Sequence, residues 1–191
     1  PQFIAYAHKL KGIALRCLYG DGDEAVTHLS KGLQASDDFP IRLRIAIQVE
    51  LSIMLLRQGQ DDAALEQLEQ AYAVAKEANF PRLIYILLVN LGVFYEEQND
   101  YSASIPFYEM AYESFLTQTH EMNPIILLDR WATTLTELGQ YDKAEEMMRR
   151  SRKFWQNWLP ATAQAISYFI HAWLYVVRQQ YEKGRELAQQ A

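Results

Sequence analysis

Between residues 41 and 57 the apolar positions Ile41, Ile45 and Val49, with Ile47, Leu51 and Leu55 alongside, recur at helical spacing. That spacing gives an α-helix one broad apolar face. Gly59-Gln60 ends the run, and Asp61 is placed to cap a second helix by accepting from the free amides of its first turn. Ala64, Leu65, Leu68, Ala71, Tyr72 and Ala75 then form another apolar stripe, until Asn79-Phe80-Pro81 breaks the chain. The same two-helix unit is predicted along the rest of the sequence. A first pair reaches residue 18 and then spans 24–35, with Gly20-Asp21-Gly22-Asp23 as its turn. Later helices are expected at 82–98, 101–118, 125–138, 141–157, 161–178 and from 181 onward. Nothing alternates at period two, so no strand is expected.

A beat of small side chains overlies these helices. Gly12, Ser52, Gly92, Ala132 and Ala172 stand 40 residues apart. A second column (Ala25, Ala64, Ser104, Ala144, Gly184) and a third (Gly32, Ala71, Ala111, Ser151, Ala191) keep nearly the same step. Where two helices cross closely, anything larger than alanine holds their backbones apart, so small residues mark the crossings. Large residues follow at fixed offsets: Leu15, Leu55, Tyr95, Leu135 and Tyr175 after the first column, and Leu29, Leu68, Tyr108 and Met148 after the second. A fixed period of this length specifies stacked helix pairs sharing a continuous core. The expected fold is all-α: a right-handed superhelical solenoid of five antiparallel pairs, in one domain over 1–191. The repeats run 1–40, 41–81, 82–123, 124–160 and 161–191, the last incomplete, with Pro40, Pro81, Pro124 and Pro160 in the links. Pro106 falls within a helix and is expected to kink it by freeing the carbonyl of Ser102.

Composition narrows the function. With 50% hydrophobic residues the chain can bury a core, and its net charge of −6 disfavours nucleic acid. The densest basic run, Arg149-Arg150-Ser151-Arg152-Lys153, follows Glu145 and Glu146 and reads as a solvated helix end. Cys17 is the lone cysteine, so no internal disulfide forms, and a buried thiol in a cytoplasmic protein is expected. The longest apolar run, 83–95, contains Asn90 and Gly92 and is too short to span a bilayer, so no membrane association is expected. Opening on Pro1 and ending within a repeat, the chain reads as a piece of a longer protein.

The stretch LGVFYEEQNDYSASIPFYEMAYESF (Leu91–Phe115) resembles the tetratricopeptide repeat, and TTLTELGQYDKAEEMMRRS resembles it nearly as well. Small residue, large residue three on, turn, then alanines and a proline in the link are the shared features, although the period is 40 where the family's usual repeat is about 34. Trp131 is the only tryptophan in the family's tryptophan column. The resemblance implies a concave face built from the first helix of each pair, which binds a protein, a peptide or a small ligand. Projected onto this chain, that face carries Val49, Ile53, Arg57, Asn90, Val93, Glu97, Arg130, Thr133 and Glu137. Lys9, Arg16, Glu50, Val89, Glu96, Asp129, Phe169, Ile170 and Trp173 also project there. Asn90 and Arg130 interrupt apolar faces and are the leading ligand contacts, with capping of a link or internal pairing (Arg130 with Glu96 or Asp129) as the alternative for each. Long repeats of this sort resemble those of bacterial regulators, which implies a signalling or DNA-binding output domain; a constitutive adaptor and the helical support of an enzyme are the rivals.

No catalytic, metal or cofactor site is expected. His8, His28, His120 and His171 are scattered without a second ligand at metal spacing, and His120-Glu121-Met122-Asn123 lacks the later histidine of a zinc motif. His171 reads as a satisfied core or groove histidine. The aromatic cluster Phe154, Trp155, Trp158, Tyr168, Phe169, Trp173 and Tyr175 reads as core between the last two repeats. Its alternative is an exposed patch for self-association through the terminal repeats.

Overall fold

Each apolar stripe becomes a helix. The computed structural model describes residues 2–18, 22–35, 40–117, 122–158, 161–177, 179 and 181–189. Within them lie α1 (Gln2–Leu18), α2 (Gly22–Gln34), α3 (Ile41–Arg57), α4 (Asp61–Glu77) and α5 (Pro81–Glu97). They continue with α6 (Tyr101–Leu116), α7 (Ile125–Glu137), α8 (Tyr141–Trp158), α9 (Ala161–Val177) and α10 (Tyr181–Ala188). No strand occurs among the described residues. The expected helices are all present, with ends displaced by one or two residues. The side chains of Arg16, Cys17, Trp155, Trp158 and Ile170 lie outside the described residues, as do Gly20, Asp21, His120 and Ala191.

One expected cap is corrected. Asp61 is already the first residue of α4, and the cap position, Gln60, makes no side-chain bond to the helix. Asp61 and Asp62 instead set negative charge against the free amides of the first turn. Asp100 does cap α6, accepting from the Ala103 amide at 3.0 Å. Pro81 opens α5, where its missing N–H costs nothing, and α6 runs on through Pro106.

The turns inside the pairs share one backbone solution. Gly59, Asn99, Gly139 and Gln179 all adopt left-handed φ angles, 69°, 58°, 69° and 59°, and are 40 residues apart. Gln60, Asp100 and Gln140 then donate back to the carbonyls of Leu55, Tyr95 and Leu135 at 2.8–2.9 Å. Gly59, Asn99, Gly139 and Gln179 donate to Leu56, Glu96, Thr136 and Val176 at 2.8–3.0 Å. This pair of bonds satisfies the last carbonyls of the preceding helix and needs a residue that tolerates positive φ, which glycine and asparagine do best.

Every described member of the three small columns is buried. Buried Ser52 and Ser104 satisfy their hydroxyls on their own helices, donating to the carbonyls of Val49 and Tyr101. A Cβ added at Gly184 would stand 3.0 Å from the carbonyl oxygen of Ala172, so a second-column residue meets a first-column residue where α10 crosses α9.

The chain forms two compact units, Pro1–Phe94 and Tyr95–Ala191. In the first, α1 packs on α2 and α3, α2 on α3, and α3 on α4. Leu29, Ile45, Ile47, Leu68 and Leu87 are among its most buried side chains. In the second, α7 is central, touching α6, α8 and α9, while α9 pairs with α10. Leu128, Leu135, Met148, Leu174 and Tyr175 form that unit's core, flanked by Trp131 and Phe154.

Candidate functional site

The first helices of the pairs carry the polar residues singled out in the sequence, and each unit is best built up separately. In the first unit, α3 presents Val49 and Ile53 half-buried and Arg57 exposed, while α5 presents Asn90 and Val93 half-buried. The Asn90 amide is already engaged: Nδ2 donates to the Ile86 carbonyl of its own helix at 2.7 Å. One polar group here is less well provided for. Gln48 is only 2% exposed, its Nε2 reaches Gln70 Oε1 only at 3.5 Å, and its own Oε1 has no hydrogen-bond partner.

In the second unit, Glu97 and Glu137 are exposed at the ends of α5 and α7. Thr133 donates to the Asp129 carbonyl one turn back at 3.0 Å. Arg130 spans a boundary between solvent and core. Its side chain is 45% exposed, yet Nη1 lies 3.1 Å from Oε2 of Glu96, whose carboxylate is only 8% exposed. The Thr134 hydroxyl donates to the other Glu96 oxygen. The buried Tyr108 hydroxyl lies in the field of the same carboxylate without a hydrogen-bond partner of its own: burial, and then the charge of Glu96, push its ionisation far above the usual phenol range. Arg130 is therefore first of all the counter-ion of a buried glutamate, which bears out the alternative pairing to Glu96.

A second polar cluster ties α7, α8 and α9 together. Fully buried His171 places Nε2 3.0 Å from Oδ1 of Asp129, and Arg152 Nη1 stands 3.4 Å from His171 Nδ1. A guanidinium can only donate, so Nδ1 faces a donor and Nε2 faces the Asp129 carboxylate. This is the satisfied histidine expected from the sequence. No group of three metal-ligating side chains occurs among the described residues. Arg149 and Arg150 both bond Glu146, and these charge-assisted bonds hold its carboxyl below the usual range. The aromatic cluster divides. Phe154 and Tyr175 join the core, whereas Phe169 and Trp173 are 58% and 49% exposed on α9, beside exposed Val176 and Val177.

Glu96, Thr134, Asp129 and His171 together were not legible as interacting pairs, but the columns held a signal. Thr134 occupies the step filled by Met54, Phe94 and Leu174, and His171 the step filled by Leu51, Leu91 and Trp131. A polar residue in an apolar column needs a polar partner one repeat away.

With this geometry in place, residues 43–117 match the sequence profile of the tetratricopeptide repeat. Over that stretch the sequence is similar to tetratricopeptide repeats. Its fold is shared by the nearly identical TPR-like repeats of a Podospora anserina kinesin-light-chain protein (TM-score 0.75, 20% identity, covering 100% of this chain and 93% of that one). It is also similar to aspartyl phosphate phosphatase F from Bacillus subtilis (TM-score 0.76, 14% identity, 97% of this chain and 58% of that one). The apo form of RapI is a third likeness (TM-score 0.78, 16% identity, 95% of this chain and 51% of that one). Comparison with curated proteins yields no match. The molecule thus has a helical-repeat fold, and no described helix is long and apolar enough to cross a membrane.

Proposed function

We propose that this chain is the non-enzymatic binding region of a larger cytoplasmic regulator, which recognises a peptide or protein segment on the first-helix faces and passes that state to an output domain. The carrying observation is a set of exposed charged side chains without an ion-pair partner among the described residues. They are Arg57 in the first unit and Glu97 and Glu137 in the second, each beside half-buried positions such as Ile53 and Thr133. In each unit, half-buried positions beside a placed charge suit an extended polypeptide segment. Asn90 and Thr133, bonded within their own helices, contribute shape more than donors. A constitutive adaptor would use the same faces. The exposed Phe169, Trp173 and Val177 on α9 favour docking of a further helix or of a second copy there.

Selection of a phage-displayed random peptide library on the chain tests this reading. Alanine at Arg57, Glu97 and Glu137 should weaken the selected peptides by about 1–3 kcal/mol for each charged group that meets the peptide. Undiminished binding to the triple variant would overturn it.

A further inference from the structure

Neighbouring first helices meet in one register. Between α5 and α7, Glu96 bonds Arg130 and Thr134, and between α7 and α9, Asp129 bonds His171. Glu96 and Asp129 thus mark the side of a first helix that faces the pair after it. Arg130, Thr134 and His171 mark the side that faces the pair before it. Moved by whole 40-residue periods, the first set becomes Val176 and Phe169 on α9, and the second becomes Leu10, Ala14 and Lys11 on α1.

Those positions are open. Val176 and Phe169 are 44% and 58% exposed, although Glu96 and Thr136, in the column of Val176, are buried. On α1, Leu10 is 51% exposed. Ala7 is exposed where Ile47, Leu87 and Leu127 are buried, and Ala14 is exposed where Met54 and Phe94 are buried.

The two open sides match each other in chemistry and in size. Inside the chain this register joins a carboxylate to a guanidinium and a hydroxyl. Across the open sides it joins Val176 to Leu10 and Ala14, apolar to apolar. A polar group on one side alone would lose water without gaining a partner, and neither side has one there. Phe169 falls on Lys11, whose ammonium is held by Glu24 at 3.2 Å while its methylene stem is left to lie along the ring. The alanines at 7 and 14 leave room for the aromatic ring that α9 carries where α7 has Asp129.

We infer that α1 of a second copy stacks on α9 in this register, so that copies of the chain join head to tail. The contact continues the interface that seats α9 on α7, with Val176, Leu10 and Ala14 where the inner helices pair charges. It is heterologous: each copy keeps one open α1 and one open α9, so assembly grows without closing. Arg57, Glu97 and Glu137 take no part in it, and either reading can fail without the other.

Sedimentation equilibrium of the 191-residue chain tests the stacking. The weight-average mass should rise at least twofold between roughly 10 µM and roughly 1 mM. Leu10→Glu and Val176→Glu, both at exposed positions, should each hold the chain monomeric with unchanged circular dichroism. Their equimolar mixture should stop at a dimer, because one intact pair of sides remains. Combining Val176→Glu with Leu10→Arg and Ala14→Thr in one chain rebuilds the Glu96–Arg130–Thr134 grouping between copies and should restore assembly. A wild type that stays monomeric at the highest concentration overturns the proposal, and so does a mixture that fails to dimerise. Self-association that survives Leu10→Glu, as pairing of α9 with α9 would give, overturns it as well. A triple variant that stays monomeric refutes the register.

Discussion

A methyl group built on Gly12 would stand 2.7 Å from Cγ of Leu29 and 3.3 Å from the carbonyl oxygen of Ala25. The first small column of α1 thus presses directly on the second column of α2 and on the large residue four positions later. Side-chain carbon and backbone oxygen both block the added atom, so neither helix yields without a shift. Gly12→Ala should cost about 1–3 kcal/mol by overpacking, read as a lower denaturation midpoint. An unchanged midpoint would mean that α1 and α2 are not held at this distance.

The same reasoning separates buried from outward alanines. Ala71 and Ala111 are fully buried and Ala73 is exposed. Leucine at either of the first two should cost about 1–3 kcal/mol, and leucine at Ala73 close to nothing. Three similar melting temperatures would refute the column assignment.

Backbone conformation, not packing, decides the turns. Around Gly59 there is open space for a Cβ, yet its φ is +69°. Gly59→Ala should therefore cost about 1–2 kcal/mol through the left-handed conformation alone. Gln179 already bears that strain at φ +59°, so Gln179→Gly should raise stability, by about 1 kcal/mol or somewhat less after the extra freedom glycine gives the unfolded chain. A neutral or destabilising Gln179→Gly would contradict the shared turn geometry.

Arg130→Ala is no clean test of binding, because it strips the counter-ion from a buried carboxylate. It should destabilise the second unit by about 1–3 kcal/mol, the lower part of that range reflecting the solvent already around the guanidinium. Adding Glu96→Gln should recover part of that stability, since the amide can still accept from Thr134 without carrying a charge. Full additivity in the double-mutant cycle would show that the two side chains do not interact.

Acid should act on the first unit through His28. Its Nδ1 lies 2.8 Å from His8 Nδ1, and burial, Lys11 and His8 hold its pKa below 6.5 against the opposing pull of Glu24. The folded state then binds fewer protons than the unfolded chain just below 6.5, so this contribution is complete above that value and is lost as pH falls. Thermal midpoints measured from about pH 7 to about pH 5 should fall more steeply for the wild type than for His28→Gln. Parallel slopes would remove His28 from the account.

Repetition made the fold legible. A small residue at each crossing and a glycine or asparagine at four of the five left-handed positions among the described residues state the same local rule several times over, so one ambiguous position cannot mislead. Asp61 misled as a cap because an acid serves equally well one residue further in, where charge matters and side-chain geometry does not. The candidate faces were less legible for a related reason. Projecting Glu96 and Arg130 from family positions treats every repeat alike, whereas these two differ from their counterparts by pairing with each other and with Thr134. That information is pairwise and spans two repeats, so no single helix pattern contains it.

The left-handed φ shared by residues 59, 99, 139 and 179 also makes the chain divisible. Excising 60–99 would join Gly59 to Asp100, leaving a left-handed residue followed by the start of a second helix, just as before, with the small columns still in phase. The splice creates no junction that the chain does not already use. Array length can therefore change by whole periods at the cost of two helices and their contacts, with no new turn to invent.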